Sequence, residues 1–276
     1  RASKEVKEMT ENIGEEELLE NNGIILSSQS VGPKILWLMK NEPEIFKRTS
    51  KLVSATTYLV YKLTSKSVID YYSATCFNPI FDINNLSWSN KLWKEAPIDM
   101  LPDISWTTDI AGFVTKEASK QTGLKEGTPV IVGTADASAE GISAGVVEMG
   151  DLMIMLGTSS FFIQIVKERA NSKVLWSANY LESNQYAIAA GMGTAGAVIN
   201  WFYEMLGNKS LSELDNLAER VKAGSEGLIL LPYFSGERTP INNPNARGLL
   251  FGLSLYTNSK RKSKFKSAMV CKLSRI

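Results

Sequence analysis

At 276 residues, 44% apolar and 21% charged, the chain has the composition of a globular protein with room for two domains. It has no histidine and two cysteines, Cys76 and Cys271, which excludes Ser-His-Asp and Cys-His catalysis and histidine-ligated zinc within these residues. Any acid–base step falls to Asp, Glu, Lys, Tyr or water.

The opening RASKEVKEMTE lacks the apolar core of a secretion signal, and no run reaches the roughly 18 apolar residues that span a bilayer. A cytoplasmic protein is the expectation. Residues 3–22 read as one helix, with Val6, Met9 and Ile13 at helical spacing among acids. A short apolar helix, 35–39, stops before Pro43; a helix at 55–63 and a brief strand at 67–70 follow. The Asn-, Pro- and Trp-rich segment FNPIFDINNLSWSNKLWKEAP reads as a long connection whose aromatics anchor packing. From Pro129 the pattern turns strand-like: PVIVGTA, then the small-residue segment DASAEGISAG, then DLMIMLG and FFIQIV joined by TSS. After a weak strand at 186–190 and the run GMGTAG, helices are predicted at 197–206 and 211–221, with Ser210 and Glu213 spaced as a capping box before the second. A buried strand at 227–232 leads into the polar turn region YFSGERTPINNPNARG. Strands and helices mix without a steady βαβ period, an α/β pattern.

The overall charge of +1 is uneven: the last eighteen residues carry seven Lys or Arg and no acid, leaving 23 bases against 29 acids, a net −6, over residues 1–258. A basic end suits a nucleic acid or a membrane surface. No aromatics are interleaved to stack bases, so the expectation is neither partner, and a tail foreign to the fold.

Three places hold candidate chemistry. Asp136 ends a buried strand and opens the small-residue segment; its carboxylate can accept a proton from a substrate hydroxyl, with Gly133 and Ala135 leaving room, or it can cap the following helix. In LGTSS, Gly157, Thr158 and Ser159 can cradle a phosphate or form an ordinary hairpin turn. GMGTAG sets Gly193 and Gly196 ahead of a helix, for an anion at its N-terminus or for close packing; Trp201 and Phe202 are assigned to the core. No Walker lysine motif is present.

Read in order with LPYFSGERTPINNPNARGLLFGLS, these pieces acquire a common meaning. VGTADASAEG, VEMGDLMIMLGTSS, TAGAVINWF and that last segment resemble the ordered motifs of the FGGY carbohydrate kinases, the xylulokinase branch most closely, over about residues 1–258. The resemblance implies an actin-like ATPase fold of ribonuclease-H type. Residues 1–148 would be the C-terminal part of a sugar-binding N-terminal domain, and 149–258 the first part of an ATP-binding C-terminal domain. Residues 259–276 form the foreign tail. It implies ATP-dependent phosphorylation of a sugar hydroxyl, D-xylulose to D-xylulose 5-phosphate, with ATP and Mg²⁺ as cofactors and room for a homodimer.

By position, Asp136 becomes the general base, with Ala137 beside it at the sugar. Gly157, Thr158 and Ser159 become the hairpin for the β- and γ-phosphates, and Gly196 and Asn200 ATP contacts. Kinases for gluconate, ribulose or glycerol, and a non-catalytic nucleotide-binding module of the actin or Hsp70 type, are the alternatives. The family's first phosphate loop, D-x-G-T, and its adenosine turn have no counterpart here, so the chain by itself is expected to be inactive, with exposed sheet edges.

Overall fold

A computed structural model describes residues 2–205, 210–219, 221, 223–241 and 243–253; the predicted tail from 259 lies outside them. The chain divides into two units, Arg1–Met153 with Ile163–Ala189, and Ile154–Phe162 with Ala190–Ile276. No helix of the described residues is long and apolar enough to cross a membrane.

In the first unit the predicted helix over 3–22 is two helices, Ser3–Ile13 and Glu15–Asn22, parted at Gly14. Its predicted inner face holds: Met9 is buried, and Val6 and Ile13 pack on the same core with Leu18, Ile35 and Phe81. The helix predicted at 35–39 is longer, Val31–Asn41, and Pro43 starts a further helix, Pro43–Arg48, rather than only ending one. Proline fits there because the first helical position needs no N–H. Ala55–Thr64 is capped by Ser54, whose hydroxyl accepts from the Thr57 N–H. The aromatic connection behaves as read. Trp93 and Phe81 are buried, Phe77 and Phe81 both meet Trp88, and the Trp88 indole N–H donates to the Pro102 carbonyl at 2.7 Å.

Two strand pairs place the loop that leads to Asp136. Val68–Asp70 runs parallel to Asp103–Ser105, with Asp70 opposite Ser105. Ile110–Phe113 runs antiparallel to Pro129–Ile131, with Ile110 opposite Ile131. Sequence periodicity missed Asp103–Ser105 and Ile110–Phe113, strands of three and four residues with no alternation to detect.

A four-stranded sheet has the order Leu152–Leu156, Ser160–Val166, Tyr186–Met192, Trp176–Asn179; the last strand was not predicted. Ile163 and Ile165 are fully buried, at 0% exposure each. The second unit adds the helices Gly196–Met205 and Leu211–Glu219 and the strand pair Ile229–Leu231 with Leu249–Phe251. The Glu213 N–H donates to Ser210 Oγ at 3.1 Å, the cap read from sequence. Trp201 departs from the core assignment: it is 45% exposed, resting on Phe234 with ring centroids 4.8 Å apart.

Candidate active site

Asp136 is reached through a loop tied down at each residue. The Val132 N–H donates to the Asp109 carbonyl at 2.9 Å and the Gly133 N–H to the Thr107 carbonyl at 3.0 Å. Thr134 Oγ1 donates to Asp70 Oδ2 at 2.7 Å, and the Thr134 carbonyl accepts from Thr56 Oγ1 at 3.1 Å. Gly133 takes φ +72°, the left-handed region where a side chain costs about 1 kcal/mol or more. The chain then enters the helix Asp136–Ser143 with Ala135 in the cap position.

Asp136 is therefore the first helical residue and not the cap. Its Oδ1 accepts the Ala137 N–H at 2.8 Å, and its side chain is exposed while Ala137 is half-buried. Nearby, burial raises the Tyr72 phenol far above its ordinary pKa, with Cys76, Tyr180, Asp70 and Asp136 adding to the shift. Asp70 and Asp136 thus act on the same phenol.

In the second unit Gly157–Ser159 joins two neighbouring strands of the sheet, and the Gly157 N–H donates to the Ser159 carbonyl at 2.9 Å. The turn sits on the start of the helix Gly196–Met205. The Ala195 N–H donates to the Thr158 carbonyl at 2.9 Å, the Gly196 N–H to the Gly157 carbonyl at 2.8 Å and the Ala197 N–H to the Thr158 carbonyl at 3.2 Å. The structure so brings Gly157, Thr158 and Gly196 together, and only glycine fits at 196: a Cβ there would lie 2.6 Å from the Gly157 carbonyl oxygen.

Of the two uses the sequence left open for these glycines, an anion at the helix N-terminus or close packing, the backbone bonds display the close packing. Helix-start N–H groups bind anions because they lack partners, and here three of them are taken by the turn. Thr158 is exposed and Ser159 half-buried, and Asn200, one helical turn beyond Gly196, is exposed. Asp136 and Ala137 belong to the first unit.

The SGERTP segment has a supporting place. Glu237 is 3% exposed; its Oε1 accepts the N–H groups of Gly193 at 3.2 Å and Arg238 at 2.8 Å, while Oε2 is buried without a hydrogen-bond partner. Thr239 exchanges bonds with Gly191, its N–H donating at 3.1 Å and its Oγ1 accepting at 3.4 Å. Thr194 Oγ1 donates to the Pro232 carbonyl. The conspicuous motif therefore braces the glycine run that leads to Gly196. Sequence reasoning missed Asp70, Thr134 and Glu237 as supports. The signal for Asp70 was present as an Asp at a strand end three residues before a serine, a cap spacing, whereas its bond to Thr134 spans 64 positions and left no local trace.

Comparison with known proteins places these features in a family. Residues 1–142 match the model of the FGGY family of carbohydrate kinases, N-terminal domain, and residues 152–271 that of its C-terminal domain. Xylulose kinase of Lactococcus lactis is 31% identical over 270 residues, covering 96% of this chain and 53% of that protein. Gluconokinase of Bacillus subtilis is 26% identical over 259 residues, covering 89% of this chain and 50% of that protein. The crystal structure of xylulose kinase from Rhodospirillum rubrum superposes with a TM-score of 0.89 at 28% identity, covering 98% of this chain and 55% of that one. The chain spans about half the length of the relatives it matches.

Proposed function

The chain belongs to the FGGY family of carbohydrate kinases and has its actin-like ATPase fold; on that premise we propose that the protein carrying it phosphorylates a sugar hydroxyl with ATP, converting D-xylulose to D-xylulose 5-phosphate. The observation that carries the reading is Asp136, an exposed carboxylate opening a helix at the end of a loop tied at Val132, Gly133 and Thr134.

Phosphoryl transfer needs placement and charge stabilisation more than covalent chemistry. Asp136 accepts the proton of the attacking hydroxyl, with Ala137 flanking the sugar. Thr158 and Ser159, with Gly157, hold the β- and γ-phosphates through hydroxyls and backbone, while Gly196 and Asn200 flank the nucleotide. Residues 1–148 are assigned to the sugar domain and 149–258 to the ATP domain. Mg²⁺ supplies charge neutralisation on the phosphates. No group of three or more His, Cys, Asp or Glu that could hold a metal ion occurs among the described residues.

The likeness to gluconokinase of Bacillus subtilis supports a second reading, gluconate as acceptor. A coupled ADP-release assay on the full-length protein, with D-xylulose, gluconate, ribulose and glycerol in turn, separates them. The expected result is kcat/KM highest for D-xylulose, with product phosphorylated at the 5-hydroxyl. Preference for gluconate favours the second reading. Nucleotide binding with no sugar-dependent ADP release removes both, leaving a non-catalytic nucleotide module.

A further inference from the structure

We propose that Asp70 and Thr134 form a positioning pair that fixes Asp136 for proton abstraction, an inference that rests on the kinase reading of Asp136. Asp70 closes the strand Val68–Asp70 with 1% exposure and caps the helix Tyr71–Thr75 by accepting the Ser73 N–H at 3.3 Å. Capping alone does not explain it, because Ser, Thr or Asn supply the same acceptor without a charge. A carboxylate removed from water carries a large desolvation penalty, and burial accordingly raises the Asp70 carboxyl above its ordinary pKa. The short bond from Thr134 Oγ1, at 2.7 Å, offsets part of that penalty, since a hydroxyl donating to an ionised carboxylate is among the stronger hydrogen bonds.

The same threonine is held from its other end. Its carbonyl accepts from Thr56 Oγ1 on the helix Ala55–Thr64, so two separate elements grip one residue by side-chain hydroxyl and backbone carbonyl. Thr134 lies two positions before Asp136, with the left-handed Gly133 on its other side. Turning the segment that presents Asp136 requires breaking one of these bonds. A base gains from such restraint, because displacing a catalytic group by about 1 Å can cost about a hundredfold in rate.

The test uses the full-length protein, with kcat and both KM values measured per folded molecule. Thr134→Val removes the hydroxyl and keeps the shape; the expected loss in kcat is about tenfold or more, with KM for ATP unchanged. Thr134→Ser, which returns the hydroxyl, recovers most of that loss, an outcome a purely space-filling role does not produce. Should Thr134→Val not fold, Asp70→Asn keeps shape and acceptor but removes the charge, and a fall in kcat at constant KM for ATP supports the pair. Wild-type kcat in Thr134→Val, or equal kcat in the Val and Ser variants, overturns it; so does wild-type kcat in Asp70→Asn where that variant stands in. Asp136→Asn separates the levels. If it is inactive while the pair variants are normal, only the pair fails; if it turns over at the wild-type rate, the base reading fails and the pair with it.

Discussion

The loop before Asp136 and the turn at Gly157–Ser159 are both short connections next to strands, yet they are held by different atoms. At Thr134 the grip includes side chains, Asp70 and Thr56, that come from distant parts of the first unit. At Gly157 and Thr158 it is backbone: three helix-start N–H groups meet two turn carbonyls, with Gly196 allowing the approach. Under the proposed function the difference suits two chemical tasks. A proton acceptor must be aimed, and side-chain bonds from several elements restrain an angle. A phosphate cradle must be shaped, and backbone-to-backbone contact sets a contour with little dependence on side chains other than glycine.

The largest expected effect tests the first region. Asp136→Asn should lower kcat by about 10²- to 10⁴-fold, the usual share of a general base, with ATP binding by calorimetry unchanged. A matching loss of ATP affinity would erase the contrast between the regions. Next, Gly196→Ala drives a Cβ onto the Gly157 carbonyl oxygen and should cost about 1–3 kcal/mol of stability. It should also raise KM for ATP while sparing KM for the sugar, read from steady-state kinetics and denaturant melts.

Glu237→Ala leaves the half-buried Gly193 N–H without its acceptor, at about 1 kcal/mol. Its kinetic effect should follow Gly196→Ala, on ATP rather than sugar; an effect confined to sugar KM would place SGERTP at the sugar after all.

The smallest effect is on pH dependence. Burial raises the Asp70 carboxyl, so the folded state holds its proton to higher pH than the unfolded chain. This contribution to stability is greatest below the ordinary carboxylate range and falls as pH rises through it. Asp109 is opposite: bonds from the Ser105 hydroxyl and the Trp106 N–H lower its carboxyl, giving stability above the ordinary range that is lost as pH falls. Urea melts at pH 4 and pH 7 should show Asp70→Asn gaining on the wild type as pH rises, and Asp109→Asn losing ground.

Much of the second region was legible in the sequence. LGTSS between two apolar strands announces a hairpin, and a glycine run before a helix announces close approach, because both depend on residues near in the chain. What could not be read was which groups those glycines meet: Gly193 and Gly196 were equally suited to an anion, and the fold gives the Gly193 N–H to Glu237 and the Gly196 N–H to the Gly157 carbonyl. The first region was less legible still. Asp136 stood between a cap and a base, and one residue of register, with Ala135 in the cap position, removed the cap reading. The helix over 3–22 was misjudged because its hydrophobic face continues in type past Gly14 while the backbone does not.

By itself the sequence determined the α/β mixture, the inner face of the first helix, the hairpin and the ordered motifs that mark an FGGY kinase. Those are properties of local spacing and composition. The tertiary structure alone decided that Asp70 meets Thr134, that SGERTP braces the glycine run and that the helix-start donors are occupied. Each of these is a hydrogen bond between residues 37 to 64 positions apart, and such a bond forms only where the packed core has already brought its two ends together and excluded the water that would otherwise satisfy them.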